Sequence, residues 1–136
     1  MMRSALLFWT ELVTLLALVV YLGTVIHCAR MRARHRILAP ATSGHPDYER
    51  AFRIQQNTLE QLVLFLPALW LFSSLVNPLA GAALGAIWVA ARTVYALSYA
   101  RAPEQRGPGF IVAFVVLVVL LFGALVQALL LLPRMI

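Results

Sequence analysis

Four long apolar runs constrain the fold of this chain more than any other feature. Three of them lie at about residues 5–28, 79–100 and 110–132. The remaining one, second in chain order, follows a charged stretch and ends at Val76. An α-helix rises 1.5 Å per residue, so about 22 to 24 residues cross the hydrocarbon core of a bilayer, which is roughly 30 Å thick. The runs lack the alternating pattern of barrel strands, and only helices or closed barrels satisfy their backbone groups in lipid. The sequence therefore predicts an all-α bundle of four transmembrane helices.

The composition supports a membrane protein. Of the 136 residues, 62% are hydrophobic and only 12% are charged, which is more apolar surface than a soluble domain of this size can bury. The formal net charge is +6, and Arg supplies all of the formal positive charge. Most of these residues flank the apolar runs, so we assign them to topology and anionic lipid headgroups, with no nucleic-acid partner. We expect one membrane domain over residues 1–136, with helices at about 5–33, 47–76, 79–100 and 108–132.

The connections between the apolar runs differ in charge. The first, "RMRARHRILAPATSGHPDYER", is long and basic, and the third, "RAPEQRGPG", contains Arg101 and Arg106, whereas the second, "SSLVNPLAG", is uncharged. Basic loops remain in the cytoplasm, so loops one and three are predicted to be cytoplasmic. The Lys-free composition and short later loops favour a bacterial inner membrane.

Polar residues enter the second predicted helix in an ordered pattern. Within "ERAFRIQQNTLEQLVLFLP", residues Arg50, Arg53, Asn57 and Glu60 are spaced by 3, 4 and 3 positions and follow one side of a helix. A charged residue at the centre of a transmembrane helix costs roughly 2.5–3.5 kcal/mol. Side chains that reach the headgroups, or that form an Arg–Glu pair, could explain part of the stripe. Asn57 and Glu60 lie deeper and indicate a polar partner.

A second stripe lies at the same predicted depth in the third helix. Arg92, Tyr95 and Tyr99 share a face, and Arg106 follows in the third loop. Guanidinium groups bind carboxylates, and a carboxylate such as Glu60 suits an ammonium group. Phenol and guanidinium donors also stabilise a thiolate. The residues alone therefore predict a polar, net-anionic ligand at the cytoplasmic interface.

The remaining reactive residues indicate no further chemistry. The single Cys28 excludes an internal disulfide and a multi-Cys metal site. His27, His35 and His45 show no ligand spacing, so we expect no metal. Glu11 is expected to face the bundle interior, paired with Thr or with a neighbouring subunit, because a charge facing lipid is costly.

Two motifs resemble those of the MAPEG family, the membrane-associated proteins of eicosanoid and glutathione metabolism. The stretch "ERAFRIQQNTLEQLVLFLP" is similar to the family's E-R-x-x-R-x-x-x-N-x-x-E signature, and "ARTVYALSYARAPEQR" is similar to the end of its third helix and the following loop. The resemblance implies a homotrimer that binds glutathione between adjacent subunits, near the cytoplasmic side. It also implies that glutathione is the cosubstrate and that a lipophilic small molecule arrives from the surrounding membrane lipids.

The resemblance also implies roles for individual residues. Arg106 matches the arginine that stabilises the glutathione thiolate, and the expected glutathione-binding residues are Arg32, Arg53, Gln55, Asn57, Glu60, Arg92, Tyr95 and Tyr99. Gln61 departs from the leukotriene-synthesising branch, which has a Tyr there. The implied activity is transfer of glutathione to lipophilic electrophiles, or reduction of lipid hydroperoxides.

Two other functional classes remain open. One is a non-catalytic lipid-binding or scaffold protein of the same fold, although such a protein has no need of this polar set. The other is a small transporter or channel, which is disfavoured because polarity at one end of the bundle provides no continuous polar path.

Overall fold

The computed structural model describes residues 2–134, with side chains from residue 7 onward. Four helices account for most of it: α1 (Met2–Arg34), α2 (Pro46–Leu75), α3 (Pro78–Arg101) and α4 (Gly107–Leu131). Short 3-10 helices at Pro103–Arg106 and Leu132–Arg134 precede and follow α4. All four long helices have the length and apolar composition to cross a membrane, and residues 2–134 contain no strand. The predicted all-α, four-helix membrane fold is confirmed.

Local capping explains where α2 and α3 begin. His45 precedes α2 in an extended conformation, and its Nδ1 accepts a hydrogen bond of 3.2 Å from the backbone N–H of Asp47. Asn77 precedes α3 in the same way, and its Oδ1 accepts from the N–H of Ala80 at 2.9 Å. A proline follows each cap, and a fixed φ without an N–H donor suits the first helical position.

The helices pack around a central α2–α3 pair. Both members of that pair contact α1, and both contact α4. In the core, the rings of Phe65 on α2 and Trp88 on α3 stack in parallel, with centroids 3.9 Å apart. Gly85 contributes the small surface that Val13 of α1 and Leu69 of α2 approach. Small residues allow membrane helices to pack closely, since lipid provides little hydrophobic drive for their association.

Gly109 sets the approach of α4 to α3. A Cβ atom added there would lie 2.7 Å from the backbone N of Tyr95 and 2.8 Å from the carbonyl O of Ala91. These are backbone atoms of a helix, so they cannot move aside as the end of a side chain could. The close approach places the first turn of α4 beside Tyr95 and Tyr99.

The outer surface is largely apolar, as expected for contact with acyl chains. Val19 and Val63, for example, are 63% and 64% exposed. Glu11 is exposed on the single chain, so the expectation that it faces the interior of the four-helix bundle is wrong, while its pairing with a neighbouring subunit stays a prediction. The inward face of α1 carries Thr10 and Val13 instead, and Thr10 Oγ1 donates to Ser73 Oγ at 3.1 Å. Glu11 follows Thr10 by about 100° around the helix, which turns it outward.

Candidate functional site

The two polar stripes meet at one cavity. It has a volume of about 420 Å³ and lies between α2, α3 and the start of α4. Six of its lining residues were predicted as site residues from the sequence: Arg53, Asn57, Glu60, Tyr95, Tyr99 and Arg106. Gly107 and Phe110 complete the lining. Sequence reasoning missed these last two, and the only signal available was their position directly after Arg106.

Arg92 supports this cavity from behind. Its side chain is fully buried, and Nη1 donates to Asn57 Oδ1 at 3.0 Å while Nη2 donates to Thr58 Oγ1 at 2.6 Å. The guanidinium carbon also lies 4.0 Å from the centre of the Tyr95 ring. Arg92 was expected to line the pocket, but it is not among the lining residues. It instead contacts two residues that are, Asn57 and Tyr95.

The contact with Arg92 decides which end of the Asn57 amide a ligand meets. Because Oδ1 accepts from a charged donor, the remaining hydrogen-bonding end is the Nδ2 group, which donates. Asn57 therefore suits a carbonyl or carboxylate oxygen. Thr58 was not identified from the sequence, since nothing local marks it as the second acceptor for Arg92.

Arg106, at the edge of the cavity, is held by a hydrogen bond to Tyr99. Its Nη1 donates to Tyr99 Oη at 3.1 Å, and its guanidinium carbon lies 5.1 Å from the centre of the Tyr99 ring. The Tyr95 ring lies 5.8 Å from the Tyr99 ring and 6.3 Å from the Phe110 ring. The wall beside Arg106 is therefore aromatic, with phenolic hydroxyls as its polar groups.

The charges that line the cavity are not neutralised by one another. Arg53, Glu60 and Arg106 form no salt bridge with any residue between positions 7 and 134. Two guanidinium groups and one carboxylate thus remain for a ligand, with a third guanidinium, that of Arg92, behind the wall. This arrangement suits a zwitterion whose negative groups outnumber its single positive group.

The other basic residue of the α2 stripe faces elsewhere. Arg50 forms an ion pair with Asp47 one turn before it, at the start of α2. The interfacial ion-pair alternative therefore describes Arg50, with Asp47 in place of a glutamate as its partner, and does not describe Arg53 or Glu60.

Two expected ligand-binding residues lie away from this cavity. Arg32, near the end of α1, donates to the Tyr48 hydroxyl, and its guanidinium carbon lies 4.8 Å from the centre of the Tyr48 ring. Gln55 follows Arg53 by two positions, which is about 200° around the helix and therefore the opposite side of α2. One chain thus cannot direct Arg53 and Gln55 into the same cavity.

A second cavity, of about 340 Å³, lies on the α1 side of the α2–α3 pair. Its lining is mainly apolar and includes Val20, Ile54 and Leu97, with His27, Thr24 and Thr93 as polar members. The two cavities therefore lie on opposite sides of the central pair, near the same end of the bundle.

Comparison with known proteins gives a consistent result. The model of the MAPEG family matches residues 7–126. The chain is 45% identical over 123 residues to an uncharacterized protein of Synechocystis sp., covering 90% of each chain. It is 41% identical over 81 residues to microsomal glutathione S-transferase 2 of Mus musculus, covering 60% of this chain and 55% of the mouse protein. It is 35% identical over 100 residues to leukotriene C4 synthase of Cavia porcellus, covering 69% and 67% of the two chains.

Proposed function

This chain belongs to the MAPEG family, and we propose on that ground that it is a glutathione-dependent membrane transferase or peroxidase. It is an integral, multi-pass membrane protein, and its relatives include proteins named for glutathione transfer and for leukotriene C4 synthesis. The observation that carries the proposal is that six predicted site residues line the same cavity: Arg53, Asn57, Glu60, Tyr95, Tyr99 and Arg106.

Each polar group in the cavity has a counterpart in glutathione. Arg53 and the amide of Asn57 donate to its carboxylates and peptide carbonyls, and Glu60 accepts from its ammonium group. Tyr95 and Tyr99 supply hydroxyl groups along the wall. Arg106 lowers the pKa of the glutathione thiol, because its positive charge stabilises the thiolate. It does not act as a base, since Arg does not lose its own proton in proteins.

The proposed reactions follow from that thiolate. The thiol proton leaves to water, and the sulfur attacks an electrophilic carbon of a lipophilic substrate to form a C–S bond. In a substitution, the electron pair of the broken bond departs with the leaving group. In an addition, the anion that forms on the substrate takes up a proton. With a lipid hydroperoxide, the thiolate attacks the terminal oxygen. An S–O bond forms, the O–O bond breaks, and the alkoxide takes up a proton and leaves as an alcohol. A second glutathione then converts the oxidised sulfur to a disulfide and water. Detoxification of membrane-derived electrophiles is the proposed role.

We also propose that the active assembly is a homotrimer with the site between subunits. The support is that Arg32 and Gln55 lie away from the cavity of their own chain, while Arg53, Glu60 and Arg106 remain exposed on it. A neighbouring copy would cover those charges and present its own Arg32 and Gln55. Mass measurement in detergent tests this, since a stable monomer that binds glutathione would contradict it.

The proposed location is a bacterial inner membrane with loops one and three in the cytoplasm. The last turns of α1 and the residues just after it carry Arg30, Arg32, Arg34 and Arg36. The same end of the bundle carries Arg101, the last residue of α3, and Arg106. Labelling of cysteines introduced into each loop, from one side of the membrane, tests this orientation.

Thiolate absorbance during titration with glutathione near neutral pH tests the enzymatic proposal. A saturable signal is expected from the purified protein. Arg106→Ala should abolish the thiolate signal, and Arg53→Ala should abolish binding. Arg101→Ala is the matched control, because Arg101 is also exposed at this end of the bundle but does not line the cavity.

A second candidate function, non-catalytic lipid binding, is favoured by one observation, the mainly apolar cavity between α1 and α3. If glutathione neither binds nor ionises while a fluorescent fatty acid binds saturably, this function replaces the enzymatic one.

A further inference from the structure

Two histidines and an aspartate converge outside both cavities, at the connection between α1 and α2. The His35 and His45 rings are stacked, with centroids 3.5 Å apart and planes 13° apart. Asp47 Oδ2 lies 3.7 Å from His35 Nε2 and 3.9 Å from His45 Nδ1. The sequence did not indicate this cluster, because His35 is ten positions from His45 and the loop between them brings the rings together.

Arg50 holds the carboxylate in this orientation. It pairs with Oδ1 of Asp47, so Oδ2 is the oxygen that faces the two imidazoles. Carboxylates that bind metal ions are commonly oriented by such a second hydrogen-bonding partner, which leaves one oxygen directed at the ion.

His35 presents a ring nitrogen that has no partner. Its Nε2 is buried and forms no hydrogen bond with the residues that the structure describes. The carboxylate oxygen at 3.7 Å is too distant for a hydrogen bond. A buried polar atom left unsatisfied is destabilising, and a ligand placed between Nε2 and Oδ2 would satisfy both atoms.

We propose that His35, His45 and Asp47 bind a divalent transition-metal ion of the zinc class. Imidazole nitrogen and carboxylate oxygen are ligands that zinc prefers, at about 2.0–2.2 Å. In tetrahedral geometry, with water as the fourth ligand, ligand atoms at that distance lie roughly 3.3 Å apart. The three potential ligand atoms here all lie within 4.8 Å of one another, so they must move closer by up to about 1.5 Å. The nearly parallel rings must also rotate apart, so that both nitrogens face one point.

Binding also has a local cost. His45 Nδ1 accepts the backbone N–H of Asp47 as the cap of α2, and coordination through that nitrogen would replace this hydrogen bond. The bound ion, in place of this capping hydrogen bond, then fixes the position of the first turn of α2. Since His35 follows the end of α1 and His45 precedes α2, the bound ion joins the two helices and stabilises the loop between them.

The proposed ion is structural and independent of the glutathione proposal. None of the three residues lines either cavity. Loss of metal binding would leave the glutathione site intact, and failure of glutathione binding would leave the metal test unaffected.

The test uses full-length, tag-free protein in detergent. Titration with Co²⁺ should produce saturable visible absorption at one ion per chain, and Zn²⁺ should displace it and raise the Tm of the protein. His35→Gln, His45→Gln and Asp47→Asn should each weaken binding by at least about tenfold and remove the Zn²⁺-dependent rise in Tm.

His27→Gln is the matched control, because His27 lies on α1 outside the cluster. This substitution should leave metal binding unchanged. Equal affinity in wild type and His35→Gln would overturn the proposal. A Tm that does not rise when Zn²⁺ is added would also overturn it. Far-ultraviolet circular dichroism of each variant verifies that the helices are retained.

Discussion

The buried guanidinium of Arg92 donates to the side-chain oxygen of Asn57 across 3.0 Å. This contact joins α3 to α2 directly behind the cavity and orients the amide that a ligand meets. Under the proposed function, we therefore expect Arg92 to act through Asn57 as a positioning residue.

Replacing Arg92 should weaken glutathione binding more than it slows turnover. Arg92→Met keeps most of the side-chain volume but leaves Asn57 Oδ1 and Thr58 Oγ1 without their donor, and a hydrogen bond to a charged group contributes about 1.5–3 kcal/mol. We expect KM for glutathione to rise roughly tenfold or more, with a smaller change in kcat. Thr58→Val is the control, because it removes one acceptor and leaves Asn57 paired. An unchanged KM in Arg92→Met would exclude the positioning role.

Removing the Tyr99 hydroxyl should lower the thiolate signal moderately. Tyr99→Phe keeps the ring beside Arg106 and removes only the acceptor at 3.1 Å. The donor is charged, but this hydrogen bond is exposed to solvent, so we expect it to contribute only about 0.5–1.5 kcal/mol, which corresponds to roughly a two- to tenfold loss in kcat. The readouts are thiolate absorbance and kcat. Tyr21→Phe on α1, outside both cavities, should have no effect, and an equal loss there would indicate general destabilisation.

Glu60 should recognise the ammonium group of glutathione specifically. Glu60→Gln is nearly isosteric and removes the charge, so we expect glutathione binding to weaken by about tenfold. This is less than the roughly 2–5 kcal/mol lost when a buried charge pair is broken, because the Glu60 side chain is exposed. A glutathione analogue without the amino group should bind wild type and Glu60→Gln equally. Calorimetric titration of both ligands measures the difference, and an equal loss for the analogue would contradict the assignment.

Gly109→Ala should separate α4 from α3. The added methyl group would meet backbone atoms at 2.7 and 2.8 Å, and overpacking of this kind costs about 1–3 kcal/mol. We expect a lower Tm in detergent together with weaker glutathione binding, since Gly107 and Phe110 of α4 line the cavity. Gly23→Ala is the control, because a methyl group there has no neighbour within 4 Å. A Tm equal to that of wild type would show that the helices tolerate the methyl group.

Mixed assemblies should restore activity if the site lies between subunits. Arg106→Ala and Arg32→Ala are each expected to be inactive alone. In a 1:1 mixture, about a quarter of the sites combine an intact cavity with an intact neighbouring Arg32, because the contact in a cyclic trimer is head-to-tail. Activity near that fraction of wild type, measured after co-expression, supports the shared site. No recovery would argue that each site belongs to one chain.

The features that the sequence predicts correctly depend on local properties of the chain, whereas the feature that it predicts wrongly depends on how the helices pack. The four spans follow from hydropathy and helix length, and the start of α3 follows from Asn77–Pro78, because caps and apolar runs act locally. The convergence of Asn57, Glu60 and Tyr95 was also predictable, since helix period and depth place the two stripes at one level. The outward position of Glu11 was not, because the penalty for a lipid-facing charge says nothing about which side of α1 packs inward.

The sequence by itself determined the membrane fold and the polar end of the bundle that holds the candidate site. Hydropathy, loop charge and helical spacing are properties of neighbouring residues and do not depend on which helices touch. The tertiary structure alone decided which residues form the cavity wall and which stand behind it or elsewhere. Arg92 lies behind Asn57, Arg32 contacts Tyr48, and His35 meets His45, because helix rotation and close approaches such as that at Gly109 depend on contacts between residues distant in the chain.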